Sequence, residues 1–326
     1  MKIKQNSDSH NYNNFPYVFS PQYQNHLKDC NYDFILITDD QELITIPILS
    51  IKSHFLKIFT LLYPPMKENE RLNEKTESEF IDKLLIYIRE KRLCDRISRP
   101  FLLDQFKTFP KNSTYKPFAQ INLSLKDKTQ DEIFSGFKPN YRNEIKKCIA
   151  EKACVKFGKD QFNTFYKIYK NTLTRQGFNF DNYQYVKSLF DELNKSQSVL
   201  CGVVYYDDAA QGCVLIPYSK FSGYYLYGGS VKSPALKGLM KLLQWEVIKK
   251  LKENNITQYS FGGARMENIK STKYEGIQNF KMRFGCNLNK GFIWRKDINQ
   301  TKCKIYDILY FVRYRLIRNQ KDNNYL

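Results

Sequence analysis

Gln258-Tyr259-Ser260-Phe261-Gly262-Gly263 is a short apolar run that closes on two glycines, the pattern of a strand ending in a tight turn or a close backbone approach. Downstream, Gly276-Ile277-Gln278-Asn279-Phe280-Lys281-Met282-Arg283-Phe284-Gly285 spaces its apolar side chains as a helix over 277–284 would, and 291–295 reads as a final strand. Upstream, 236–253 is amphipathic, with Leu239, Leu242, Leu243, Val247 and Leu251 on one stripe. Three strand-like segments come before it, 198–206, 211–218 and 223–228, with Asp207-Asp208 and Lys220-Phe221-Ser222-Gly223 as turns. Helices at 160–175 and 181–194 precede these. Earlier still, a strand at 118–125 leads into a helix over 128–150 that breaks or kinks near Pro139. The order strand, helices, antiparallel strands, helix, strand, helix, strand implies an α/β (mixed-sheet α+β) domain with helices covering the sheet.

The first half is a shorter version of the same order. Residues 33–38 and 43–48 form a hairpin around Asp39-Asp40, and an apolar stretch over 55–63 stops at Pro64-Pro65. A helix over 77–92 follows, with Phe80, Ile81, Leu84, Leu85 and Ile88 at helical spacing. The Pro-, Lys- and Ser/Thr-rich 108–117 marks a boundary. The expected organisation is a poorly ordered 1–20, a first subdomain over 21–115, a second over 116–297 and a basic C-terminal helix over 298–326.

At 326 residues, 42% hydrophobic and 15% aromatic, the chain can bury a full core and is far from a disordered composition. A formal charge of +19 suits polyanionic partners: tRNA, phospholipid headgroups, pyrophosphate-linked carriers or coenzyme A. A compositional bias towards Lys, Asn, Ile and Tyr accounts for the charge equally well. The eight cysteines form no CxxC pair, and His10, His26 and His54 all lie early in the chain, so no metal site and no tightly bound cofactor is expected. Met1-Lys2-Ile3-Lys4 leads into polar residues, and no apolar run reaches the length of a membrane span. A cytoplasmic protein is expected, with peripheral contact at the inner membrane face as an option.

Three blocks carry a family resemblance. Phe137-Lys138-Pro139-Asn140-Tyr141-Arg142-Asn143-Glu144-Ile145-Lys146-Lys147, Tyr259-Ser260-Phe261-Gly262-Gly263 and the Gly276–Gly285 stretch are similar in order and spacing to the motifs of the Fem peptidyltransferases within the GNAT acyltransferase superfamily. The resemblance covers about 118–297 and implies two GNAT-like subdomains in tandem and transfer of an aminoacyl group from aminoacyl-tRNA, or of an acyl group, onto an amine of a cell-envelope precursor such as a peptidoglycan stem peptide or an amino sugar. The chain departs from the pattern in three places. Ser260 stands where the family's strand-end block has Asp. The long helical arm of some members is absent between the central helices. The glycine-rich pyrophosphate loop of acetyl-CoA enzymes is replaced by Lys232-Ser233-Pro234-Ala235-Leu236-Lys237-Gly238-Leu239, which keeps only a helix N-terminus and Lys237 for a phosphate.

Amine acylation needs a free amine, a stabilised oxyanion and a proton for the leaving group, and no nucleophilic side chain. By the resemblance, Lys281 is the first candidate, holding a phosphate or steadying negative charge, flanked by Phe280 and Arg283; the alternative is a surface lysine between two core phenylalanines. Tyr259 and Tyr227 fall at strand ends and can donate hydrogen bonds to a carbonyl or leaving group, or can be ordinary core tyrosines. Arg142 can grip a phosphate or carboxylate, or sit on a solvated basic face. In the C-terminal helix, Ile305, Ile308, Leu309, Val312 and Leu316 share a face, with Lys302, Lys304, Arg313, Arg315 and Arg318 around it; capping the protein's own core is the expectation, an anionic membrane anchor the alternative. Two other readings stay open: an acyl-CoA-dependent N-acyltransferase of a glycan or nucleotide sugar, and a non-catalytic RNA- or membrane-binding module.

Overall fold

The computed structural model describes residues 1–6, 12–53, 55–98, 103–267, 269, 270 and 272–323. In chain order the first half holds β1 (Ile3–Asn6), α1 (Pro21–Asp29), β2 (Asp33–Asp39), β3 (Thr45–Ser53), β4 (Leu56–Leu61), β5 (Met66–Lys67), β6 (Glu70–Arg71), α2 (Glu74–Glu90) and β7 (Arg96–Ser98). The second half opens with β8 (Thr114–Ser124), α3 (Gln130–Ser135), α4 (Pro139–Ala150), β9 (Cys154–Phe157), α5 (Phe162–Arg175) and α6 (Tyr183–Lys195). It continues through β10 (Val199–Tyr206), β11 (Ala209–Pro217), β12 (Gly223–Tyr224), β13 (Tyr227–Ser230), α7 (Leu239–Glu253), β14 (Gln258–Arg265), α8 (Lys273–Met282), β15 (Asn287–Asp297) and α9 (Gln300–Asn323).

The strands form one large sheet in the order β1-β2-β3-β4-β7-β15-β8-β14-β12, with β5 and β6 attached at β3, and a smaller sheet in the order β13-β11-β10-β9. The halves meet where Lys296 and Asp297 of β15 pair antiparallel with Ile97 and Arg96 of β7. Arg96 fastens the seam further, its Nε 2.7 Å from Asp297 Oδ1 and its Nη1 2.8 Å from Asp307 Oδ1 on α9. One core lies between α2 and the first-half strands, closed from across the seam by Trp294. Two more cover opposite faces of the second half, one under α5 and α6, the other under α3, α4 and α7.

Local chemistry explains the boundaries. Pro139 occupies the first turn of α4 instead of kinking a long helix, the position where its missing N–H costs nothing. Before it, α3 is closed by a capping box in which Thr129 and Glu132 satisfy each other's backbone amides. Pro117 sits within β8 opposite Phe292 of β15, beyond the last β8 residue that β14 pairs, Phe118, so no ladder bond to β14 is lost.

Two expectations are corrected. The first twenty residues are not loose where described: β1 pairs with β2, and Tyr12, Phe15, Tyr17, Val18 and Phe19 are buried. Together with α1, which lies against α6 with His26 Nδ1 3.1 Å from Ser188 Oγ, this segment belongs to a second-half core, because its aromatic area outweighs the polar Asn and Ser between. The C-terminal helix does not cap a core through Ile305, Ile308 and Leu309, which are about half or more exposed, Ile308 reaching 63%. Cys303, Asp307 and Tyr306 face the body instead. The side chains of Val312, Arg313, Arg315, Leu316 and Arg318 lie outside the described residues. No described helix is long and apolar enough to cross a membrane.

Candidate functional site: a cavity where two strands part

The strand expected over 223–228 is interrupted. Its first part, β12, pairs parallel with β14 through Gly223 with Tyr259 and Tyr224 with Ser260, and Tyr225 N donates to Ser260 O at 2.8 Å. Its second part, β13, has left β14 and pairs antiparallel with β11 from Tyr227 to Ser230. Where the sheets diverge, a cavity of about 510 Å³ opens between Tyr225, Leu226, Tyr227 and Gly262, with Thr60 and Leu103 of the first half joining the wall.

The three motif blocks converge beside it on Phe284, which is fully buried. Its ring packs on Phe137, Tyr141, Phe261 and Phe280 at centroid distances of 5.1, 5.1, 5.0 and 5.3 Å, and each such pair adds about 0.5–1.5 kcal/mol beyond area burial. Backbone contacts tie the first block to the third. Lys138 N donates to Arg283 O at 3.0 Å, and Tyr141 Oη to Phe280 O at 3.3 Å. Gly285, at φ +74°, lies so close to Gly136 that a Cβ would come within 2.7 Å of the Gly136 carbonyl oxygen. The C-terminal end of α8 is thereby fixed.

Lys281, one turn before Phe284, reaches into the cavity wall. Its Nζ lies 3.5 Å from Gly263 O, beside the bulge where Gly262 adopts φ +85°. Desolvation lowers its pKa to about 8, weakly opposed by the Cys286 thiol, since burial disfavours the charged form. A carboxylate at position 260 would favour that charge, but Ser260 is neutral. Its Oγ accepts from Gln120 Nε2 at 2.8 Å and from Gly262 N at 3.3 Å. Lys281 is thus a cation with little to neutralise it, poised at a site where an oxyanion could form.

The expected site residues separate into two groups. Lys281 and Tyr227 line the cavity, and Phe280 packs directly behind it on Tyr141 and Phe284. The others serve elsewhere. Tyr259 is fully buried and spends its hydroxyl on Gln244 Oε1 at 2.7 Å; strand alternation turns it away from the face that Ser260 presents. Arg142 donates to the carbonyls of Ser135 and Phe137, closing the turn before α4. Arg283 is exposed, near the Tyr141 ring. Lys237, 85% exposed, lies 3.5 Å from Glu144 at the start of α7. There Lys241 also pairs with Glu144, and Gly238 packs so tightly that a Cβ would meet the Glu144 Cβ at 2.9 Å. The helix N-terminus that could seat a pyrophosphate is therefore already faced by a carboxylate.

Sequence reasoning missed Gln120 and Asp181. Gln120 is almost fully buried and donates through Nε2 to Leu103 O. A carbonyl only accepts, which fixes the amide orientation and leaves Oε1 without a partner among the described residues. A second, larger hollow, about 1030 Å³, lies between β3, β4, the end of α2 and the start of α9, with Lys52, Lys57, Arg89, Arg92 and Lys302 in its wall.

Comparison with known proteins places this geometry. Residues 135–281 match the family model described as an acetyltransferase (GNAT) domain, and that span holds β12, β13 and Lys281, while Thr60, Leu103 and Gln120 of the cavity wall lie outside it. No curated protein matches the chain in sequence. A crystal structure of FemX superposes with a TM-score of 0.67 at 14% identity, covering 88% of this chain and 93% of that one. L-PGS from Bacillus licheniformis gives 0.52 at 13%, covering 85% and 92%, and a conserved protein of unknown function from Bacteroides thetaiotaomicron gives 0.54 at 9%, covering 84% and 90%. The match gives residues 135–281 the character of a GNAT acetyltransferase domain and supports acyl transfer as the chemistry of the site. The fold as a whole is similar to that of FemX: two GNAT-like subdomains in tandem, with only residues 176–182 between α5 and α6 and hence no long helical arm there.

Proposed function

We propose that this protein transfers an aminoacyl group from aminoacyl-tRNA to an amine of a cell-envelope precursor, a peptide stem or an amino sugar. The observation that carries the reading is the Lys281 ammonium in the strand-split cavity, combined with the α7 N-terminus that Glu144 occupies. The first suits acyl transfer. The second disfavours the pyrophosphate of coenzyme A, because two anions would compete for one helix end.

In the reaction the lone pair of the free acceptor amine attacks the ester carbonyl carbon. The carbonyl oxygen takes up the negative charge beside Lys281. Collapse then forms the amide and expels the ribose hydroxyl oxygen, which gains a proton as the new amide nitrogen loses one. The basic hollow and the net charge of +19 favour a polyanionic donor. The exposed apolar face of α9, near Lys304, fits peripheral contact with an anionic membrane carrying a lipid-linked acceptor.

The test is transfer of radiolabel from a charged tRNA pool, or from acetyl- and longer acyl-CoAs, to stem peptides and amino sugars. Product from tRNA that Lys281→Met abolishes supports the reading. Product from coenzyme A thioesters alone replaces the donor, and no product from either overturns the proposal.

A further inference from the structure

Asp181 is an exposed residue in the short loop between α5 and α6, yet three tyrosine hydroxyls hold it. Tyr227 Oη donates to Asp181 Oδ2 at 2.6 Å, Tyr166 Oη donates to its carbonyl oxygen at 3.1 Å, and its amide donates to Tyr169 Oη at 3.3 Å. Both Asp181 and Tyr227 line the cavity that Lys281 enters. In a chain with 52 lysines and arginines, no described cation lies within ion-pair distance of this carboxylate, whereas Glu144 collects two. Its Oδ1 accepts no hydrogen bond from any described residue.

A carboxylate fixed this firmly costs conformational entropy and returns no fold-stabilising ion pair. Its geometry suits a ligand that supplies the missing positive charge. Gln120, in the same wall, carries an acceptor Oε1 with no partner among the described residues. Tyrosine rings around an anion present both a hydrogen-bonding and a cation-attracting surface.

We infer that Asp181, positioned by Tyr227, is an ammonium-binding subsite, so that one of the two reacting molecules enters with a protonated amine held at Asp181 while the donor's ester carbonyl is held at Lys281. The inference deepens the proposed function and rests on it for the identity of the molecules. The ammonium belongs either to the α-amino group of the donor's aminoacyl moiety or to the acceptor, and the loop that stands in place of the helical arm supplies the residue that recognises it.

Binding separates this inference from turnover. The alanyl amide of 3′-amino-3′-deoxyadenosine and its propionyl counterpart, identical but for the ammonium, serve as donor probes. Nα-acetyl-lysine amide against Nα-acetyl-norleucine amide, and glucosamine against glucose, serve as acceptor probes. Each pair is titrated calorimetrically against the full chain and against Asp181→Asn and Tyr227→Phe. The wild type should bind the ammonium member of one pair about tenfold or more tightly, as a charge-assisted hydrogen bond would give. Asp181→Asn should erase that preference with an unchanged melting temperature, its exposed loop position tolerating the change, and Tyr227→Phe should reduce it. Preference in the donor pair assigns the subsite to the aminoacyl group, and preference in an acceptor pair assigns it to the acceptor. No Asp181-dependent preference in any pair overturns the inference, even if transfer activity is found; a preference without detectable transfer would leave the subsite standing and the proposed reaction in error.

Discussion

The strand-split cavity and the N-terminus of α7 are both corners where a helix end meets polar side chains, and they are wired in opposite ways. At α7 the charges are mutually satisfied: Glu144 lies between Lys237 and Lys241, and Gly238 is pressed on the Glu144 side chain. At the cavity they are left open: among the described residues Lys281 is desolvated without a carboxylate, Gln120 Oε1 is unpaired and Asp181 has no cation. Unsatisfied polar groups are costly in a folded protein. In the cavity, they are the groups that the proposed ligands would satisfy. On the proposed reading the N-terminus of α7 is structural and the chemistry is concentrated at the split.

Several experiments would break or sharpen that contrast. The largest effect is expected from Lys281→Met, which should lower the rate of transfer about 100- to 1000-fold, the range seen for loss of an oxyanion-stabilising donor. Retention of rate within a few-fold would remove the cavity from the chemistry. If the ammonium form is the working one, activity should fall as pH rises through about 8. Between that value and about 10.4, the ordinary lysine pKa, the unfolded chain holds more protons than the native one. Stability should therefore rise with pH across that window, and the rise should vanish in Lys281→Met when denaturant midpoints are compared.

Next in size, Gly285→Ala should cost about 1–3 kcal/mol in urea unfolding, because φ is +74° and the new Cβ would press on the Gly136 carbonyl. A variant as stable as wild type would show that the α8 anchor is looser than described. The smallest effect is expected at α7. Glu144→Gln should destabilise by about 1 kcal/mol or less, as partly exposed ion pairs do, while freeing Lys237 and Lys241 to bind an anion. A coenzyme A thermal shift that appears only in this variant would confirm the closed corner; a shift of equal size in the wild type would contradict it.

Much of this was legible in the sequence. The period of 277–284 gave a helix, the Gly262-Gly263 pair a special backbone, and the three blocks a cluster with Lys281 at its edge. The break between Tyr224 and Tyr227 was hidden, because 223–228 reads as one Tyr- and Gly-rich strand and only the divergence of β11 from β14 divides it. Asp181 and Gln120 were invisible for a related reason: each becomes distinctive only through partners far away in sequence. Tyr259 illustrates the converse error. It stands next to Ser260 in a motif, but alternation along the strand turned its hydroxyl to Gln244. At the N-terminus a signal was available, since Tyr12, Phe15, Tyr17 and Phe19 are too apolar a series for a loose tail.

The pairing of β7 with β15 has one more implication. Thr60 and Leu103 contribute to the cavity from one half while Tyr227 and Lys281 do so from the other, and a continuous hydrogen-bonded ladder together with the Arg96 clasp joins those halves. The two sides of the pocket are thus joined by backbone pairing as well as by side chains, and its dimensions and charge are set by residues of both halves at once.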